Sequence, residues 1–247
     1  MRLLVDVGNT RLKWALLEGP VLGDCRAQGY RAADLPQLLD ACWRDVPAPV
    51  QICVANVGGT QAAQAIAAYS ARRWQLAPVF AEVKDAEAGV TNAYRDRTQL
   101  GIDRWLAVIA AWNKYRAPLL LVGCGTAVTI DAVDGGGRHL GGLIIPGLHL
   151  MQDCLRTGTS GIAAPAGAPA LGLGDSTADC IARGAACAII SAIDRVSMDL
   201  QQQYGAHLQR LIMGGDAAAV NGLLMEPFMS APNLVLEGLA LSVPAVP

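Results

Sequence analysis

The sequence predicts an α/β protein built as two similar halves. Three observations carry this. An apolar strand that runs into a glycine tip and a threonine occurs twice, as Leu4-Val-Asp-Val-Gly-Asn-Thr10 and as Leu121-Val-Gly-Cys-Gly-Thr126. Gly8 and Gly125 stand 117 residues apart, close to half of the 247-residue chain, as an internal duplication would place them. Around both tips, short apolar runs of strand length alternate with longer stretches at helical spacing.

The elements follow in order. Arg2–Val7 reads as a buried strand, Gly8-Asn9-Thr10 as a turn, and Arg11–Leu17 as the returning strand, with Leu12, Trp14 and Leu16 on one face and Lys13 on the other. Residues 31–46 look helical, with Leu35, Leu38, Leu39 and Cys42 on one stripe. Gln51–Ala55 is a short buried strand, 60–74 an alanine-rich helix, and Leu76–Val83 a further strand. After a loop around Gly89–Tyr94, a helix from near Gly101 to Lys114 repeats Ile102, Leu106, Ile109 and Trp112. Pro118 closes that region. Leu119–Val122, Ala127–Val133 and Leu140–Ile145 read as three strands joined by glycine turns. Helices are expected near 176–203 and 216–224, with a strand at Leu211–Met213 and a terminal helix over Asn233–Leu241. The domain boundary implied by the repeat separates 1–116 from 117–247.

Composition narrows the function classes. Apolar residues make up 53% and charged residues 16%, enough to bury a large core and to exclude disorder. Nineteen basic residues face 21 acidic ones, so no global basic surface for nucleic acid exists. Seven scattered cysteines without a C-x-x-C pair argue against a disulfide scaffold or zinc ribbon, and the three histidines show no ligand spacing. Asp6 interrupts any signal-peptide core, and no apolar run reaches the ~18 residues of a membrane span. A reduced, cytoplasmic protein is expected, with no membrane and no nucleic-acid partner.

The tips suggest the chemistry. A glycine tip lets backbone N–H groups approach an anion, and a threonine adds a hydroxyl donor. One tip alone reads as an ordinary hairpin turn. Two at half-chain spacing, facing each other across a cleft, could hold a polyphosphate from both sides. Asp6, at the end of a buried strand, is costly unless paired or near a metal, and a carboxylate beside phosphates suggests Mg²⁺. Met213-Gly-Gly-Asp216, after a short strand, leaves room for a flat adenine or ribose, or is merely a tight turn. Neither G-x-x-x-x-G-K-[ST] nor G-x-G-x-x-G occurs. Gly158-Thr-Ser-Gly161 falls short of the G-x-S-x-G nucleophile elbow, so a serine hydrolase has little support. Asp103 opens a helix, where the dipole favours a carboxylate, and could accept a hydroxyl proton in phosphoryl transfer; Arg104 offers a fork for a carboxylate. The residues alone leave equally open that Asp103 only caps and Arg104 only solvates. Tyr94 could line the same pocket.

Taken together, Asp6-Val-Gly-Asn-Thr-Arg-Leu-Lys13, Gly101-Ile-Asp-Arg104, Gly125-Thr-Ala-Val-Thr-Ile-Asp131, Gly141-Gly-Leu-Ile-Ile-Pro-Gly147, Ser176-Thr177 with Gly184, and Gly214-Gly215 resemble the type III pantothenate kinase family, in that family's order and across nearly the whole chain. The resemblance implies two RNase H-like domains of the actin-like ATPase superfamily, a mixed sheet in each and a nucleotide cleft between them. It implies that Asp6, Val7, Gly8, Asn9, Thr10, Arg11, Leu12 and Lys13 bind ATP phosphates, with Asp6 near Mg²⁺, and that Thr126 binds ATP from the second tip. Asp103 would be the general base for the primary hydroxyl of pantothenate, and Tyr94, Gly101, Ile102, Asp103, Arg104 and Thr177 would contact that substrate. A homodimer and a monovalent cation, K⁺ or NH₄⁺, are implied as well. One departure stands out: where the family commonly has an aspartate as cation ligand, two residues before the second tip glycine, this chain has Gly123.

The activity so implied is ATP-dependent phosphorylation of pantothenate to 4′-phosphopantothenate, the first step towards coenzyme A. One rival is an accessory factor for virulence-gene transcription on the same fold, with or without kinase activity. Another is a superfamily kinase for a sugar or an acetate-like acid.

Overall fold

The computed structural model describes residues 1–160, 162 and 169–244. Contacts divide these into two compact units. The first takes Met1–Lys114 and the segment from Asn233 onward; the second takes Tyr115–Pro232.

In the first unit, β1 (Arg2–Val7) and β2 (Arg11–Glu18) form an antiparallel hairpin in which Val7 faces Leu12. β3 (Val21–Leu22) and β4 (Arg26–Gly29) both pair with β2, as two pieces of one interrupted edge strand. Helix α1 (Leu35–Cys42) has a proline in its first turn, where the missing N–H has no helical partner to lose. β5 (Gln51–Asn56) lies parallel to β1, α2 (Gly59–Trp74) follows, and β6 (Val79–Phe80) extends the sheet in parallel. A small hairpin of β7 (Ala86–Glu87) and β8 (Val90–Thr91) precedes α3 (Ile102–Tyr115).

The second unit repeats this plan. β9 (Leu119–Cys124), β10 (Ala127–Val133) and β11 (His139–Pro146) are antiparallel neighbours. Helices α4 (Leu148–Gly158) and α5 (Thr177–Tyr204) follow. β12 (Gln209–Gly214) joins β9 in parallel, α6 (Ala217–Asn221) crosses over, and β13 (Met229–Ser230) completes the sheet. Taking β3 and β4 as one strand, each main sheet has order 3-2-1-4-5, with the first three strands antiparallel and the last two parallel. The duplication expected from the two glycine tips is thus present in the topology.

Helix α7 (Leu234–Ser242) packs on β1, β2 and β5 of the first sheet. Gly238 brings it so close to α3 that a Cβ there would overlap the backbone of Leu106. The first unit is therefore made of two pieces of chain, up to Lys114 and from Asn233, so that α7 lies in it although the repeat alone would count that helix with 117–247.

Burial explains the strands. Five of the six residues of β1 are buried, as suits a central strand covered on both faces. On one face Leu3, Val5, Val7, Leu12 and Trp14 meet Leu35, Leu39, Trp43, Ile66 and Tyr69 from the α1–α2 side. Trp43, Tyr69 and Trp74 form an aromatic cluster with centroids 5.4–6.0 Å apart. The second core joins Leu120, Val122, Val128 and Ile130 to Ile189, Ile190 and Ile193 of α5.

Some expectations change. The helix expected over 31–46 is a short 3₁₀ turn and then α1, ending at Cys42; the strand expected over 76–83 shrinks to two residues. Helix α4 and the broken edge strand had not been anticipated. Of the near-miss nucleophile elbow, Gly161 lies outside the described residues.

Candidate active site

The first tip is held by backbone closure and by a brace. Gly8 N–H donates to Arg11 O at 3.0 Å. The Tyr30 hydroxyl donates to Gly8 O at 2.6 Å, and Tyr30 N–H to Thr10 O at 3.0 Å. Burial, and then the charge of Asp6, push the Tyr30 phenol up, which keeps it a donor. Asn9, Thr10 and Arg11 are exposed, and Lys13 is half-buried opposite Asp6. Val7 and Leu12, also expected at the nucleotide, have side chains wholly inside the core, so they can offer a ligand only their backbone.

Asp6 is 8% exposed. Burial pushes its carboxyl up to about 7; Lys13 pulls it down and Asp103 pushes it further up. Asp6 and Asp103, at the strand end and at the start of α3, both lie in the first unit, and the charge of Asp103 is felt at Asp6. A buried carboxylate of this kind gains from a cation. Among the described residues no group of three or more His, Cys, Asp or Glu could cage a metal.

At the start of α3, Asp103 Oδ1 accepts from Arg104 N–H at 2.9 Å. A Cβ on Gly101 would stand 2.6 Å from that same Oδ1, so the bare Cα of Gly101 is what lets the carboxylate sit there. Ile102 is turned into the core. Arg104, 4% exposed, donates from Nη1 to the Tyr94 hydroxyl at 2.9 Å, and its guanidinium carbon lies 5.8 Å from the Tyr94 ring centre. The loop that carries Tyr94 is anchored by Glu87. Its carboxylate accepts from the Trp105 indole at 3.0 Å and from Ser242 Oγ at 3.1 Å, and pairs with Lys84. Asp6, Tyr94, Gly101, Asp103 and Arg104 thus all belong to the first unit, whereas Tyr30 and Glu87 were not singled out by the sequence reading. Both act through contacts 22 and 18 residues away in the chain, which no local pattern encodes.

The second unit carries its own tip. Gly125 N–H donates to Ala127 O at 3.0 Å, and Thr126 is exposed at the turn. Gly214, at φ +107°, packs so closely on Cys124 that any side chain there would overlap its backbone, and Asp216 N–H donates to Cys124 O at 3.2 Å. Gly123 lies one residue before Cys124, between Thr129 on β10 and Met213 on β12. Thr177 opens α5 behind the cap Ser176, whose Oγ accepts from Asp179 N–H at 3.2 Å. Thr177 lines a cavity of about 740 Å³ walled by Met151, Leu155, Cys180 and Ile181 of α4 and α5.

A family model described as type III pantothenate kinase matches residues 2–199. A type III pantothenate kinase of Nitrosococcus oceani is 38% identical over 97% of this chain and 92% of its own length. One from Alcanivorax borkumensis is 35% identical over 97% of each chain. Among solved structures, a Campylobacter jejuni protein described as a Baf family transcriptional activator superposes with a TM-score of 0.56 at 18% identity, covering 96% of this chain and 94% of that one. A Sinorhizobium meliloti protein described as a 2-dehydro-3-deoxygalactonokinase gives 0.56 at 12% identity, covering 98% of each. At such identities the two structures speak for the fold alone.

Proposed function

The chain belongs to the type III pantothenate kinase family, and on that premise we propose how its residues carry the reaction. The family's activity is phosphorylation of pantothenate with ATP in coenzyme A biosynthesis, and the alternative of a transcription accessory factor is not favoured.

The observation that supports this assignment of roles is the carboxylate of Asp103, seated against Gly101 and close enough to Asp6 to perturb it. Asp103 is the base. It orients the primary hydroxyl of pantothenate and takes its proton as the oxygen attacks the γ-phosphorus; the bond to the β–γ bridging oxygen breaks and ADP leaves. Base demand is mild in such a loose transition state, so positioning dominates. Arg104, fixed by Tyr94, pairs with the pantothenate carboxylate. Gly8–Lys13 offers main-chain donors, the Thr10 hydroxyl and the Lys13 ammonium to phosphate oxygens, and Thr126 offers a hydroxyl to the nucleotide. Asp6 would hold Mg²⁺, which supplies neutralisation of the phosphate charge.

The proposal also includes a homodimer in which Thr177 completes the substrate pocket. The cavity that Thr177 lines, with apolar walls from α4 and α5, is the place proposed for that completion. No helix among the described residues is long and apolar enough to cross a membrane, and the proposed location is the cytoplasm, where ATP is supplied.

The test is release of ADP from MgATP with and without pantothenate, with the phosphorylated product identified by mass. Pantothenate-dependent ADP release and a product heavier by one phosphoryl group are expected. Turnover with sugars or short carboxylic acids but not with pantothenate would overturn the reading.

A further inference from the structure

The offset that aligns Gly8 with Gly125 also aligns Asp6 with Gly123. Strand registers agree. Asp6 is flanked by Lys13 on β2 and Ala55 on β5, and Gly123 is flanked by Thr129 on β10 and Met213 on β12. The duplicated plan thus keeps a carboxylate in the first hairpin and none at the matching place in the second.

The vacated position is not an open socket. A Cβ on Gly123 would stand 2.7 Å from Thr129 Oγ1 and 3.5 Å from Met213 Cε. A neutral hydroxyl and an apolar methyl fill the direction in which a carboxylate would leave the strand. Three nearby main-chain oxygens already accept a hydrogen bond. Cys124 O accepts from Asp216 N–H, Thr126 O from Gly147 N–H at 2.9 Å, and Ala127 O from Gly125 N–H. An alkali cation is held by a shell of converging oxygens, carboxylate or carbonyl, and at Gly123 no side chain supplies one. The residues at this tip do not fit the monovalent cation that the family resemblance implies.

We infer that the second tip binds no activating monovalent cation, and that turnover by this chain is independent of K⁺ and NH₄⁺. The inference rests on the kinase reading above. It concerns a salt effect rather than the reaction itself, so the two fail in different ways.

Initial rates are measured at saturating MgATP and pantothenate in the chlorides of K⁺, NH₄⁺, Na⁺ and tetramethylammonium at equal ionic strength. Rates within about twofold of one another are expected. A saturable stimulation of roughly tenfold or more by K⁺ or NH₄⁺ would overturn the inference while leaving the kinase reading intact. No product in any salt would overturn the kinase reading and this inference with it. The unfolding midpoint of the ADP-saturated protein is a second readout. It is expected to agree between K⁺ and tetramethylammonium, since an ion bound only by the folded state would raise it; a K⁺-specific rise that saturates with concentration would overturn the inference.

Discussion

Asp103 Oδ1 sits 2.6 Å from the point where Gly101 would carry a Cβ. The glycine two residues before the proposed base thus leaves that carboxylate its seat. In Gly101→Ala the methyl group displaces that carboxylate, and kcat is expected to fall roughly tenfold or more with little change in KM for ATP. Steady-state kinetics of a variant with unchanged circular dichroism checks this; full activity would show that the contact is incidental.

Asp103→Asn keeps the shape and removes the proposed base. A drop in kcat of about 10²-fold or more is expected, within the usual span for a positioned base. Single-turnover measurement at saturating substrates separates this from an effect on product release.

Tyr94→Phe retains the ring beside the guanidinium but deletes the hydroxyl that accepts from Arg104 Nη1. A hydrogen bond to a charged group contributes about 1.5–3 kcal/mol, so KM for pantothenate is expected to rise on the order of tenfold, with kcat nearly constant. Substrate saturation curves decide it. An equal fall in kcat would move the pair from binding to the chemical step.

Asp6 gives a pH dependence with a definite sign. Its folded carboxyl titrates at about 7, against 3.8 for an ordinary one. Below about pH 4 both states are protonated and Asp6 has no effect. Between about 4 and 7 the folded state holds a proton that the unfolded state has released, so stability falls as pH rises and the penalty is complete above about 7. Asp6→Asn is expected to flatten this slope and to stabilise the metal-free protein at pH 8 by up to roughly 4 kcal/mol. Urea unfolding from acid to mild alkali is the measurement. Mg²⁺ added at pH 8 should stabilise the wild type and leave the asparagine variant unmoved.

Much of this was legible in the sequence because it depends on local pattern. Gly8 and Gly125 end strands whose apolar runs announce them, and the 3.6-residue spacing of Ile102, Leu106 and Ile109 places Asp103 in the first turn of a helix. What escaped depends on partners far along the chain. β3 and β4 are two and four residues long, exposed but for a half-buried Leu22, and carry no alternation to read. Helix α4 did have a signal in the spacing of Leu148, Met151 and Leu155, but it begins directly after a strand and a glycine, where a turn is the default reading. The brace of Tyr30 on Gly8, the anchor of Glu87, and the filling of the Gly123 position by Thr129 and Met213 arise only once strands are paired.

The last helix belongs to the first sheet. Arg2 Nη1 reaches Val243 O at 2.5 Å, and Gln51 Nε2 reaches Pro244 O at 3.2 Å. During synthesis the amino-terminal half emerges early yet lacks the piece that covers β1 and β5, while every strand of the second sheet has already been made. The half that leaves the ribosome first is thus the last to be sealed, and a nascent chain stalled before Asn233 would leave β1 and β5 without their α7 cover, open to chaperones and proteases.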